Sequence, residues 1–376
     1  MINFWQRKPR FNNNPAALDR ILGPSITYGE LHTLAESINI MLPREKQLVA
    51  LLWTNSIHCL AGYLSALKSG HAIILLDGTA PASSLYPLLQ TYMPNYVWKP
   101  QNWGRPNTIL GKEYSLMPFN EVAINLNPDL ALLLPLPEAG ESGLMRFSYD
   151  SLQHQAESLA EFIDVKEIDK VVQIVPFTSI TGIGLLNACI HRGSCQAFIA
   201  EEYSIDDRDA FFDDFKPSLL ITIGYSDVLD SELETLPPSV SQCVVVSSFG
   251  NELALPKWLT EIPQDNEATV QIVFQIHSIG VVSGLLLGTD LKNSLCVGGP
   301  LPLTRLDVLD VTNGTKIKQS DVEGHLLLRS NGIPYGPATE VLDLNLPDLF
   351  EGKLNLNCSG YFAEDGHYFL SALVIE

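Results

Sequence analysis

Two hydrophobic patterns alternate along most of the chain. Short uninterrupted apolar runs at residues 47–53, 72–76, 130–134, 171–175, 219–223, 244–247 and 270–275 predict strands buried on both faces. Between them apolar residues recur every three or four positions, as at Leu34, Ile38 and Met41, at Leu60, Leu64 and Leu67, and at Leu152, Ala156, Leu159 and Phe162. That is the period of a helix with one buried face. Further helices are expected at 84–92, 184–191, 206–213 and 256–262, and short strands at 96–98 and 196–200. Strands alternating with helices predict an α/β fold of two doubly wound parallel sheets in αβαβα layers. From Gly299 the pattern changes to short strands. Residues 305–311 and 315–318 flank Asn313-Gly314, a type I′ hairpin signal, residues 325–329 make another strand, and Asp365-Gly366 marks a second hairpin before residues 368–370. This tail is expected to be a small β-barrel-like subdomain. The boundaries predicted are 1–128, 129–298 and 299–376.

Charge narrows the function classes. A net charge of −20 over 376 residues argues against nucleic acid and against anionic membranes. No apolar run reaches the roughly 18 residues of a membrane span, and the N-terminus lacks a signal-peptide core. Six cysteines without a CxxC spacing predict buried free thiols and a cytoplasmic protein. No His/Cys cluster with metal-ligand spacing is present.

One stretch organises the chemistry, residues 130–151, LALLLPLPEAGESGLMRFSYDS. It predicts an apolar strand, a loop broken by Pro135, Pro137, Gly140 and Gly143, and a helix capped by Ser148 or Asp150. Strand, glycine loop and helix start make the usual cradle for a phosphate. The loop carries Glu138 and Glu141, however, with neither Lys nor Thr. One carboxylate ~4 Å from one phosphate charge costs about 4 kcal/mol at an effective dielectric of about 20. That exceeds the net gain from several ordinary hydrogen bonds.

Taken in series, residues 26–31, 49–77, 130–151, 176–184, 244–253, Gly298-Gly299-Pro300, 324–336 and 359–370 resemble the N-terminal domain of the adenylate-forming superfamily. That group comprises acyl- and aryl-CoA synthetases, nonribosomal adenylation domains and luciferases. The resemblance rests on order and spacing and covers nearly the whole chain. It implies a phosphate loop at residues 135–144, where the family's lysine position holds Gly143. It implies a magnesium-binding acid near residues 274–284, FQIHSIGVVSG, which contain none. It implies a ribose-binding acid at Cys358-Ser359-Gly360, again absent. The family's hinge corresponds to Ser371-Ala372, so the lysine-bearing C-terminal domain is expected to be missing.

The same resemblance implies an acyl-pocket wall at Pro176, Phe177, Thr178, Ser179, Gly182 and Gly184. Ser247, Ser248, Phe249, Gly250 and Asn251 would border adenine and substrate, and His277 and Ser278 would point into the cleft. The ordinary alternatives are a core position for Phe177 and a buried, satisfied position for His277. The expectation is therefore a degenerate AMP-binding domain that has lost adenylation, and that binds a small acyl or aryl ligand, a carrier protein or a catalytic partner in a biosynthetic pathway. No cofactor or metal is expected. Two alternatives stand beside it. One is an active ligase using ATP and magnesium with a separate C-terminal domain. The other is an acyl-transfer or hydrolytic enzyme using His277, Ser278 or a nearby cysteine.

Overall fold

The structure is a computed structural model describing residues 2–19, 25–103, 114–136, 143–198, 205–224, 236–250, 268–286 and 295–371, with the backbone alone at 205–209. The expected helix at 256–262 and loop residues Glu138, Gly140 and Glu141 lie outside the described residues.

Two sheets carry the fold. The smaller has seven strands in the order β18 (Gly336–Ala338), β8 (Leu144–Ser148), β7 (Leu130–Pro135), β4 (Ala72–Asp77), β3 (Leu48–Trp53), β5 (Tyr96–Pro100) and β6 (Tyr114–Pro118). β5, β3, β4 and β7 run parallel, and β6, β8 and β18 add antiparallel edges. The larger has thirteen strands. Its parallel centre is β13 (Thr269–Ile276), β12 (Gln242–Ser248), β11 (Leu219–Ile223), β9 (Lys170–Gln173), β10 (Cys195–Phe198) and β1 (Pro15–Asp19), edged by antiparallel β2 (Ser25–Thr27). On the other side β14 (Gly280–Leu286), β15 (Cys296–Pro300), β20 (Tyr368–Leu370), β19 (Lys353–Phe362), β17 (Gly324–Arg329) and β16 (Arg305–Leu309) continue it antiparallel.

Burial follows strand alternation and defines the layers. Val49, Leu51, Trp53, Ile73 and Leu75 face a shared central core with α1 (Tyr28–Asn39), α2 (Ile57–Lys68), α4 (Tyr149–Ile163) and α5 (Ile180–Arg192). Leu48, Ala50, Leu52, Ala72 and Ile74 face outward against α3 (Ala82–Tyr92). In the larger sheet Val171, Leu219, Ile221, Val244 and Val273 meet α4 and α5, while Leu220, Val245 and Ile272 meet Phe211, Phe212 and Phe215 of α6 (Ile205–Phe215). The order α-β-α-β-α is the layering expected from the sequence. α1 starts with a full capping box, Thr27 Oγ1 accepting from the Glu30 amide at 3.3 Å and Glu30 from the Thr27 amide at 2.9 Å.

Several local expectations fail for identifiable reasons. The residues after the 137–142 loop do not enter a helix directly. Leu144–Ser148 is a strand paired antiparallel with β7, and Ser148 caps α4 only at its far end. The buried arginine in mid-strand disguises it. Arg146 is fully buried, its guanidinium donating to the backbone carbonyls of Tyr335, Gly336, Leu346 and Pro347. The type I′ hairpin is also wrong. Gly314 takes φ +67° but Asn313 is not left-handed, and the expected second strand shrinks to a bridge between Leu309 and Lys316. Asp310 Oδ1 accepts from the Thr312 and Asn313 amides, so a side chain holds the turn that a strand ladder would have held.

Strand pairing also crosses the boundaries read from the sequence. β7 and β8 belong to the smaller sheet, β1 and β2 to the larger, and β15 runs through the 298/299 division to join β14 with β20. No helix among the described residues is long and apolar enough to cross a membrane.

Candidate functional site

In open α/β sheets ligands bind beyond the carboxyl ends of the parallel strands. In the larger sheet the described residues at that edge include Pro176–Ser179 after β9, Ser248–Gly250 after β12 and Ile276–Gly280 after β13. These contain most of the residues singled out in the sequence, and the structure sorts them into different roles.

Phe177 is core. It is buried, with its ring centroid 5.5 Å from that of Trp53 and 5.4 Å from that of Phe198. The expected acyl-pocket contact is thus corrected to packing between the sheets. Ser179 caps α5, its Oγ accepting from the Gly182 amide at 3.0 Å and donating to Pro176 O at 2.8 Å. Gly182 is there because nothing larger fits, since a Cβ would lie 1.9 Å from Pro176 O. Gln173 Nε2 donates to Val175 O and Gly182 O and locks the same corner. Thr178 is half-buried beside them.

Across the edge, the Phe249 amide donates to Gln275 O at 2.7 Å, the Phe249 ring is buried in the outer core, and Gly250 takes φ +93°. Phe249 too is corrected from lining to packing. Ser248 and His277 remain at the surface. The expectation of a buried, satisfied histidine fails, because His277 sits exposed in the turn between β13 and β14. Its Nε2 lies 3.4 Å from Ser248 Oγ, at the long limit of a hydrogen bond. The structure pairs His277 with Ser248, a partner that no motif spacing in the sequence pointed to, while Ser278 is its half-buried neighbour. Parallel pairing of β12 with β13, Ser248 opposite Gln275, is what brings the two together.

Beside this edge α4 ties two turns together. Gln155 of α4 donates to Ile279 O at 3.2 Å and Gly332 O at 2.7 Å, tying the β13–β14 turn to the segment after β17. The space left among Gln155, Ile279, Val281, Leu301 and Ile333 is about 20 Å³, enough for one water. Ile180 Cγ1 lies 3.3 Å from where a Gly280 Cβ would stand. Neither Ser248 nor His277 lines this space; among the described residues they form a polar rim at the edge of the sheet.

The thiols offer no nucleophile. All six cysteines are buried and free. Burial pushes Cys59, Cys189 and Cys243 up to about 12, and Cys195 and Cys358 up to about 11. The alternative that used a nearby cysteine loses its chemistry. Among the described residues no three His, Cys, Asp or Glu side chains converge to hold a metal ion. Gly143 begins the return strand, its carbonyl accepting from the Leu136 amide at 2.8 Å. Cys358-Ser359-Gly360 lies within β19, where a Cβ on Gly360 would fall 2.4 Å from Phe369 O.

No family model and no curated protein matches the chain. Solved structures do. The o-succinylbenzoate-CoA synthetase of Bacillus subtilis, bound with a product analogue, superposes with a TM-score of 0.72 at 12% identity, over 98% of this chain and 78% of its own. An artificially fused adenylation–PCP di-domain from Klebsiella oxytoca gives 0.72 at 15% identity, over 97% and 70%. ATP-bound MatB from Rhodopseudomonas palustris gives 0.71 at 15% identity, over 99% and 78%. The chain therefore has the adenylate-forming fold.

Proposed function

We propose that this chain uses the adenylate-forming fold without adenylating. It acts as a binding module for a small acyl or aryl group presented by a carrier protein or a catalytic partner. The observation that carries the reading is the turn at residues 274–284, where a metal-binding carboxylate is implied. The segment contains no carboxylate, and among the described residues its exposed side chain, His277, is paired with Ser248. An imidazole and a hydroxyl can hydrogen-bond a carbonyl or amide, but they cannot hold magnesium against a triphosphate as a carboxylate can.

Two further points support the reading. Residues 137–142, which the resemblance implies as a phosphate loop, carry Glu138 and Glu141 in place of donors. An exposed rim also suits a group delivered on a partner's arm better than a free acid, which needs a cavity of several hundred Å³ to be desolvated. The adenylation–PCP di-domain among the similar structures gives a carrier-bearing precedent for the scaffold.

The test is ATP–pyrophosphate exchange with a panel of aliphatic and aromatic carboxylic acids, run beside thermal-shift titrations with ATP, acyl-AMP analogues and acyl-pantetheines. Stabilisation by an acyl-pantetheine without exchange is the expected result, because a ligand that binds only the folded state raises its melting temperature by mass action. Exchange above background with any acid would overturn the reading.

A further inference from the structure

A second cleft lies at the opposite end of α5 from the rim, roughly 20 Å away along a helix of 13 residues. Its volume is about 630 Å³, within the range of small-molecule sites. One wall is cationic and comes from two distant parts of the chain, Lys8 and Arg10 from the N-terminal segment and Arg192 from the last turn of α5. Glu157 and Glu161 of α4 line the other wall.

The cations are not paired off within the described residues. No carboxylate lies within salt-bridge distance of Lys8, Arg10 or Arg192. Lys8 spends its ammonium on His191 O at 2.8 Å, and Arg10 stacks 4.4 Å above the Phe11 ring. Arg192 Nε is buried with no hydrogen-bond partner. Glu157 accepts from Gln153 Nε2 at 2.6 Å, which occupies one of its oxygens while it lines the cleft. Burial first, then Arg10, lowers Lys8 to about 8, against the nearby Glu157 carboxylate, which raises it. Helix-dipole complementarity explains Arg192 in the last turn of α5, but not why Lys8 and Arg10 join it from another element. Crowded, unpaired cations in a chain of net charge −20 are the exception on this molecule.

We infer that this cleft is an oxyanion site, taking a small molecule that bears a phosphate or carboxylate group. The fork of Arg192 and the charges of Arg10 and Lys8 supply what such a group needs, and its oxygen would satisfy the buried Nε. The inference does not rest on the function proposed above.

Calorimetric titration of the full chain with pyrophosphate, inorganic phosphate and citrate, against sodium chloride of equal ionic strength, tests it. Saturable binding of at least one oxyanion is expected, weakened at least about tenfold by Arg192→Gln and by Arg10→Gln. The ranking of phosphates against citrate identifies which oxyanion the site takes. Arg10 is exposed, so Arg10→Gln reads the site even if Arg192→Gln misfolds. Absence of saturable binding at about 10 mM, far weaker than a specific site gives, would overturn the assignment. So would binding that both variants leave intact, or binding lost instead in Ser248→Ala, which would put the anion at the rim.

Discussion

Replacing Arg146 with methionine tests how the C-terminal portion of the chain is held to the smaller sheet. The guanidinium is fully buried and donates four hydrogen bonds, to Gly336 O at 3.3 Å, Leu346 O at 2.6 Å, Tyr335 O at 3.1 Å and Pro347 O at 3.3 Å. All four acceptors are backbone carbonyls of one segment, which also places β18 against β8. A hydrogen bond to a charged group contributes about 1.5–3 kcal/mol, so four would sum to about 6–12 kcal/mol if they were independent. They share one side chain and one segment, and released carbonyls recover water, so the expected loss is about 3–5 kcal/mol. Methionine keeps most of the apolar stem, which isolates the polar contribution. Arg146→Lys keeps the charge but not the planar fork, and should lose less.

The assay is hydrogen exchange read beside thermal melting. Amides of Tyr335, bonded to Arg146 O at 2.7 Å, and Leu349, bonded to Tyr335 O at 2.9 Å, should lose protection before the strands of the larger sheet do. A methionine variant as stable as the parent, with Tyr335 still protected, would refute the reasoning. It would show that desolvating the guanidinium costs as much as the four bonds return.

Two other outcomes follow from the structure. Burial, aided by Lys68 and Lys46 respectively, lowers His32 and His71 to about 4. Both are neutral when folded and take up protons on unfolding below pH 6.5, so stability falls as pH drops from about 6.5 toward 4, by up to about 3 kcal/mol for each. Melting temperatures from pH 7.5 to 5 check this, and a flat profile that His71→Gln leaves unchanged would contradict it. Gly182→Ala must move the Pro176 carbonyl out of a 1.9 Å clash and should cost about 3 kcal/mol, whereas Gly314→Ala has open space and only a φ of +67° to strain, costing about 1 kcal/mol. Equal effects of the two in denaturant melts would discredit the close-approach reading.

What the sequence showed and what it hid divide along physical lines. Continuous apolar runs such as Leu219–Ile223 need both faces buried, and that strand appears with the bounds the pattern predicts. Strands with mixed exposure carry a weaker signal. Lys353–Phe362 alternates exposed and half-buried positions, and Tyr114–Pro118 is mostly half-buried, with no strand predicted for it. Arg146 hid a strand because a charge in mid-run normally marks a surface. Only distant carbonyls, invisible to local pattern, make its burial tolerable. At the candidate site, the sequence reads Ser179 and Gly182 as pocket wall with a helix from 184, whereas α5 starts at Ile180 with Ser179 as its cap and Gly182 against Pro176 O. The pairing of Ser248 with His277 depends on which strands lie side by side. The burial of Phe177 depends on Trp53 and Phe198, and neither fact is local.

The interlacing of the two sheets has a consequence for synthesis of the chain. Ala17 finds its parallel partner only at Gln196, so at ribosomal rates that edge of the larger sheet stays unfilled for roughly 180 residues, or about ten to forty seconds. The smaller sheet waits longer still, because β18 arrives more than three hundred positions into the chain. An emerging N-terminal half would expose unpaired strand edges throughout that interval, so holding chaperones should bind nascent chains cut before residue 336 and release those that extend past residue 370, where β18, β19 and β20 are all present.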